Sequence, residues 1–177
     1  MKAFKIVMCG DGGVGKTSLV SRFIGSPFNP MQKLTVGVSH HVRELPTNDG
    51  PIKLIVWDLG GEERFRFLAP VFLKGARGAV FVFDVTREET FEHLEDWLTV
   101  VLDVVGDLPR VLVGNKVDMT TYRVIPRERA EDYATRRGFL AYFETSAKDG
   151  ANTDVPFLAL AEFLSGVGNW PQELSVS

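Results

Sequence analysis

The sequence predicts an α/β fold, a mostly parallel sheet with helices packed on both faces. Three observations lead there. Short apolar runs alternate along the chain with segments of helical period, the pattern of repeated strand–crossover–strand units. Several of those runs lack polar alternation, so the strands they form are buried on both faces. One pair of extended runs interrupts the alternation around Asn48-Asp49-Gly50, a turn signal that predicts a single antiparallel hairpin.

Taken in order, residues 4–9 form a buried strand that ends in a glycine cluster. A helix over 16–24 follows, with Leu19, Val20 and Phe23 on one face. Residues 38–45 and 52–58 form the hairpin. Residues 79–84 and 110–115 are further apolar strands. Between them a helix is predicted over 90–105, because Phe91, Leu94, Trp97, Leu98 and Val101 recur at helical spacing. Residues 126–137 read as a helix, since Pro126 suits a first turn and Gly138 a stop. Residues 141–145 make the last strand. Phe157, Leu160, Ala161 and Leu164 mark a final helix that begins near Pro156 and stops near Gly166.

Composition narrows the function. With 177 residues the chain is one domain, at about 150 residues per domain. The expected boundaries are a domain over 1–168 and a short polar tail over 169–177. A formal charge of −3 argues against a basic nucleic-acid footprint or a polybasic membrane patch. The single cysteine, Cys9, excludes a disulfide within the chain and a zinc site of cysteine pairs, and it reads as an inert core thiol. That usage suits a reducing, cytoplasmic compartment. The apolar runs are far shorter than the roughly 18 residues of a membrane span. Position 2 is Lys rather than Gly, and residues 169–177 hold no cysteine, so neither a myristoyl nor a prenyl anchor is expected on the chain as given.

In sheets of this kind ligands bind beyond the carboxyl ends of the strands, and the motifs fall there. Gly10-Asp11-Gly12-Gly13-Val14-Gly15-Lys16-Thr17 fits the phosphate-loop pattern G-x-x-x-x-G-K-[ST], with a strand before it and a helix after it. Glycines let the backbone curl so that successive N–H groups point inward at a phosphate, and the helix beginning near Lys16 adds its positive end. Lys16 can reach terminal phosphates, and the Thr17 hydroxyl can ligate Mg²⁺. Asp58-Leu59-Gly60-Gly61 ends a strand. Asp58 can hold a magnesium hydration shell there, and Gly61 allows a backbone N–H to approach a phosphate. Asn115-Lys116-Val117-Asp118 follows another strand. A carboxylate at Asp118 can accept from both the ring N–H and the exocyclic amino group of guanine, a pair of donors that adenine lacks. Glu144-Thr145-Ser146-Ala147-Lys148 follows the last strand, and its small residues permit close backbone approach to a base. Each of the last three, taken alone, is better read as an ordinary polar turn.

In this order the four motifs resemble those of the Ras superfamily of small GTPases, over nearly the whole chain from Phe4 to about Leu164. The stretch from Trp57 to Arg66, together with Thr35-Val36-Gly37-Val38 and Phe83-Asp84-Val85-Thr86, is most similar to the Rab branch, although Gly60-Gly61 matches the Arf branch. The resemblance implies a three-layer P-loop NTPase fold with a six-stranded sheet, one strand antiparallel, and about five helices. It implies GTP or GDP as bound nucleotide with Mg²⁺. Asp11, Gly12, Gly13, Val14, Gly15, Lys16, Thr17 and Ser18 would wrap the phosphates. Thr17, Thr35 and Asp58 would serve the metal, Asp58 through water. Phe28 would contact the guanine ring, or else be a core residue. Asn115, Lys116 and Asp118 would hold the base, with Ser146, Ala147 and Lys148 closing the pocket. Catalysis would rest on Lys16, Gly61 and residue 62. Segments near 30–40 and 58–75 would change with the third phosphate and select effectors, exchange factors and GTPase-activating proteins. A monomer is implied, with roles in signalling and vesicle trafficking and with membrane contact through a partner.

One departure bears on mechanism. The family usually places Gln after the second-switch glycine to orient the attacking water, and this chain has Glu62. A carboxylate brings negative charge toward the terminal phosphate, so slow hydrolysis is expected. The alternative is a pseudo-GTPase binding module held in the GTP state. A phosphotransferase of the P-loop kinase type would need a second substrate pocket and a basic lid, and the sequence offers neither. Phe65, Phe67 and Phe72 fit either a partner surface or the core. Neighbouring His40 and His41 point to opposite faces of their strand, so packing or surface roles are expected of them.

Overall fold

The computed structural model describes residues 1–26, 28–31, 38–59 and 67–166. Its sheet has six strands: β1 (Lys2–Cys9), β2 (Val38–Leu45), β3 (Ile52–Leu59), β4 (Gly78–Asp84), β5 (Arg110–Asn115) and β6 (Tyr142–Thr145). The spatial order is β2-β3-β1-β4-β5-β6, with only the β2–β3 pairing antiparallel. The helices are α1 (Lys16–Phe23), α2 (Ala69–Leu73), α3 (Glu88–Glu92), α4 (Leu94–Val105), α5 (Arg127–Arg136) and α6 (Val155–Ser165).

Alternation along the central strands divides the core into two layers. Val7, Cys9, Phe81, Phe83 and Leu112 face α4 and α5, where Leu94, Trp97, Leu98 and Tyr133 meet them. Ile6, Met8, Val80, Val82, Val111 and Val113 face α1 and α6, which supply Leu19, Val20, Phe23, Phe157 and Leu160. Both layers are stapled by aromatic contacts. Phe23 stacks on Phe157 with ring centroids 4.3 Å apart, and Phe91 meets Phe83 edge-on at 5.0 Å. Truncating a fully buried residue such as Leu98 or Phe157 to Ala costs about 3 kcal/mol by the combined transfer and cavity terms. Cys9 lies in this core, and burial pushes its thiol up to about 12, so it is unreactive at neutral pH.

Two elements differ from the sequence expectation. The helix expected over 90–105 is two segments that meet at His93, whose ψ of −9° departs from the helical value of about −42°. The hydrogen-bonded chain still runs through the joint, from His93 N–H to Glu89 O at 3.0 Å and from Trp97 N–H to His93 O at 3.2 Å. Helix α2 was not expected, because five residues are too short for a helical period to register. Phe72, within it, is half-buried and tilts against Trp57 at 6.3 Å, whereas Phe67 just before it is exposed. His40 also stacks on Trp57, at 5.5 Å. Phe65 lies outside the described residues.

Register places the site. Asp84 pairs with Asn115 and Asn115 with Thr145, so the polar residues that end β4, β5 and β6 form one row at the carboxyl edge of the sheet; Asp58, paired with Met8, stands one residue before the end of β3.

Candidate nucleotide site

The loop between β1 and α1 is shaped by glycines that no other residue can replace. Gly10 has φ of 140°, and a Cβ on it would lie 2.2 Å from Val82 O; Gly15 has φ of 103°, and its Cβ would lie 2.2 Å from Asn115 Nδ2. At both places the left-handed backbone and the absent side chain are required together. Gly15 caps α1, and no side chain occupies that cap, so the first-turn N–H groups face the loop. The loop closes around Lys16, whose Nζ donates to Gly10 O at 2.8 Å and Asp11 O at 2.9 Å. Burial holds the Lys16 pKa below its ordinary value, and the Asp58 carboxylate opposes that shift. A bound phosphate would favour the charged ammonium further.

Thr17 Oγ1 donates to Asp58 Oδ2, and the Asp58 side chain is fully buried. A hydroxyl and a carboxylate side by side, next to a buried ammonium, are hard oxygen donors of the type Mg²⁺ takes when substrate phosphates complete its shell. The residues present therefore fit a magnesium–phosphate group. Thr35, Gly60, Gly61 and Glu62 lie outside the described residues.

The base motifs are cross-braced to the phosphate loop. Asn115 is buried; its Nδ2 donates to Val14 O at 2.9 Å, and its Oδ1 accepts from Thr145 Oγ1 at 2.9 Å and Ala147 N–H at 3.3 Å. Asn115 thus joins three loops. Lys116 adopts a left-handed backbone with φ of 69°, and its Nζ reaches Gly13 O at 2.7 Å. Asp118 is half-buried, and its Oδ1 accepts from Ser146 Oγ at 2.8 Å. Ser146 and Ala147 are buried while Lys148 is exposed, and Arg22 of α1 donates to the carbonyls of Ala147 and Lys148 at 2.7 and 2.6 Å. Phe28 is half-buried against the α1–α6 core layer.

Three sets of contacts escaped the sequence reading, although Asp11 and Glu144 stand within its motifs. Glu144, next to last in β6, accepts from Arg123 Nη1 at 3.0 Å and Tyr142 Oη at 2.7 Å, bracing the start of the last loop. Asp11 takes His93 Nδ1 at 2.5 Å and Trp97 Nε1 at 3.0 Å, tying the phosphate loop to the α3–α4 joint. Asp84 and Arg87 leave β4 toward the same loop. No spacing rule marks these contacts. Only the resemblance of Phe83-Asp84-Val85-Thr86 hinted that the β4 exit mattered.

A phosphate-loop NTPase is what this sheet order and these strand-end loops define. The sequence profile of the Ras family matches residues 5–165. The chain is 39% identical over 159 residues to the Ras-related protein Rab-13 of Rattus norvegicus, covering 89% of this chain and 78% of that protein. It is 36% identical over 162 residues to the Ras-related protein Rab-7a of Dictyostelium discoideum, covering 89% and 80%, and 37% identical over 159 residues to the Ras-related protein Rab-8B of Homo sapiens, covering 89% and 76%. The chain belongs to the Ras family and is Rab-like within it, a GTP-binding switch of the GTPase class. Among the described residues no helix is long and apolar enough to cross a membrane.

Proposed function

We propose that residues 1–168 act as a slow GTPase switch and that residues 169–177 are a tail outside it. The observation that carries this reading is the convergence of Lys16, Thr17 and Asp58 beneath a loop whose other side is bonded to Asn115 and Lys116. Backbone N–H groups of residues 11–18 and the Lys16 ammonium would hold the phosphates. Thr17, Thr35 and Asp58 would hold Mg²⁺, which supplies charge neutralisation on the phosphate oxygens. Asp118 would accept from both donors of guanine, with Ser146 fixing its carboxylate and Ala147 and Lys148 closing over the base. Phe28 would cover the ring.

Glu62 sets the rate in this reading. In the family pattern residues 60–62 would adjoin the terminal phosphate, where a carboxylate at position 62 would repel the charge and an amide would orient water without that penalty. The two nucleotide states would select effector and regulatory proteins through the segments near 30–40 and 58–75. The setting would be vesicle trafficking, with a monomer in the cytoplasm held peripherally at membranes by a partner.

The same Glu62 supports a second reading, a binding module fixed in the GTP state. Single-turnover hydrolysis of pre-loaded GTP with Mg²⁺, in the parent and in Glu62→Gln, separates them. Slow GDP formation in the parent and faster formation in the variant are expected. No GDP from the parent over many hours favours the binding module, and a variant no faster than the parent removes Glu62 from the account.

A further inference from the structure

Asp84 ends β4 and is buried. Its Oδ1 accepts from the Thr86 N–H at 2.9 Å and Thr86 Oγ1 at 2.6 Å, which fixes the turn that follows. Its Oδ2 takes two cations, Lys116 Nζ at 3.0 Å and Arg87 Nε at 3.2 Å. Burial alone would raise this carboxyl, but the Thr86 hydrogen bonds and Lys116 overcome it and hold Asp84 below the usual carboxylate range, so the hub is charged at neutral pH.

Each cation also reaches the phosphate loop. Lys116 donates to Gly13 O, and Arg87 Nη2 donates to Gly12 O at 3.0 Å. A trans peptide is planar, with its C=O and N–H pointing opposite ways. Holding the Gly12 carbonyl outward therefore aims the Gly13 N–H inward, as Lys116 does for the Val14 N–H through the Gly13 carbonyl. The Gly12–Gly13 peptide lies between two glycines and has the least intrinsic restraint of any in the loop. It gains most from an outside anchor. Arg87 can supply one because its planar fork spans two acceptors, the Asp84 carboxylate with Nε and the Gly12 carbonyl with Nη2.

We propose that Arg87, anchored on Asp84, is a positioning residue for the nucleotide: it orients the Gly12–Gly13 peptide so that the loop presents its N–H groups to the phosphates, and it touches no nucleotide itself. The inference rests on the reading that this loop binds phosphates. Its signature is selectivity along the ligand. Loosening the crown of the loop weakens the grip on the β-phosphate and leaves base recognition intact.

The test is dissociation of a fluorescent GDP with Mg²⁺, together with GMP affinity by competition, in the parent, Arg87→Ala and Arg87→Lys. GDP release should quicken about fivefold to tenfold in Arg87→Ala, the range of a single partly exposed hydrogen bond. GMP affinity should change less than about twofold. Arg87→Lys should resemble Arg87→Ala, since one ammonium cannot bridge both acceptors. Unchanged GDP release, equal weakening of GDP and GMP, or full rescue by Lys each overturns the proposal. A parent that binds GMP but gains nothing from the second phosphate overturns the underlying reading of the loop as well.

Discussion

The two ends of the sheet bury polar groups in different ways. At the amino end Arg110 is buried, and its guanidinium serves only its surroundings: Asp107 at 2.7 Å, Leu108 O at 3.2 Å, Arg137 O, and the face of Phe139 at 5.2 Å. Those partners lie within about 30 residues of Arg110, and the contacts close the α4–β5 and α5–β6 connections. At the carboxyl end Asn115 reaches Val14 and Lys116 reaches Gly13, and Arg22 reaches Ala147, more than 100 residues apart in each case. Buried polarity at the amino end satisfies a local connection, while at the carboxyl end it cross-links loops distant in sequence. A cross-linked polar rim around a glycine-shaped loop is the arrangement of a ligand site, and the Ras-family assignment names the ligand as a guanine nucleotide.

The difference can be broken from either end. The largest effect is expected at Asp118→Asn, which removes the carboxylate that would accept both guanine donors. GDP affinity should fall on the order of 100-fold, read by competition against fluorescent GDP, with the unfolding midpoint of the nucleotide-free chain little changed. Arg110→Ala should do the opposite. It strands the carbonyls of Leu108 and Arg137 and should lower stability by about 2 kcal/mol in urea, with GDP affinity within about twofold of the parent.

The smallest effect is a pH dependence at the carboxyl end. Burial would raise Glu144, but Arg123 and Tyr142 win and hold its carboxyl below the ordinary glutamate range. A carboxyl depressed in the folded state contributes stability that is present above its unfolded pKa and is lost as pH falls through the folded one. Urea titrations of the parent should therefore lose stability between about pH 5 and about pH 3. Glu144→Gln should be less stable at neutral pH and show a flatter acid limb. An equally steep limb in the variant would assign the acid loss to other carboxylates.

Much of this was legible in the sequence, and the reasons are physical. Strands buried on both faces print as apolar runs, so β1, β4 and β5 stand out, and β5 was found to the residue. The phosphate loop is legible because the backbone geometry demands glycine at Gly10 and Gly15 and the chemistry demands Lys16 and Thr17. Periodicity cannot see a joint such as His93, where one residue's ψ leaves the helical value and the apolar spacing runs on undisturbed. Nor can it see Asp84, Arg87 or the His93–Asp11–Trp97 contacts, since these depend on the register of β4 beside β1 and not on local spacing. Asn115 was read as a base contact; the sequence did not show that its side-chain bonds also brace three loops.

Amide hydrogen exchange with and without GDP and Mg²⁺ tests the contrast between the two ends most directly. The account predicts that added protection concentrates at residues 10–18, 84–93, 115–118 and 144–148, while 107–110 and 137–140 keep the exchange rates of the nucleotide-free chain. Protection spread evenly over both ends, or gathered at the amino end, would contradict it.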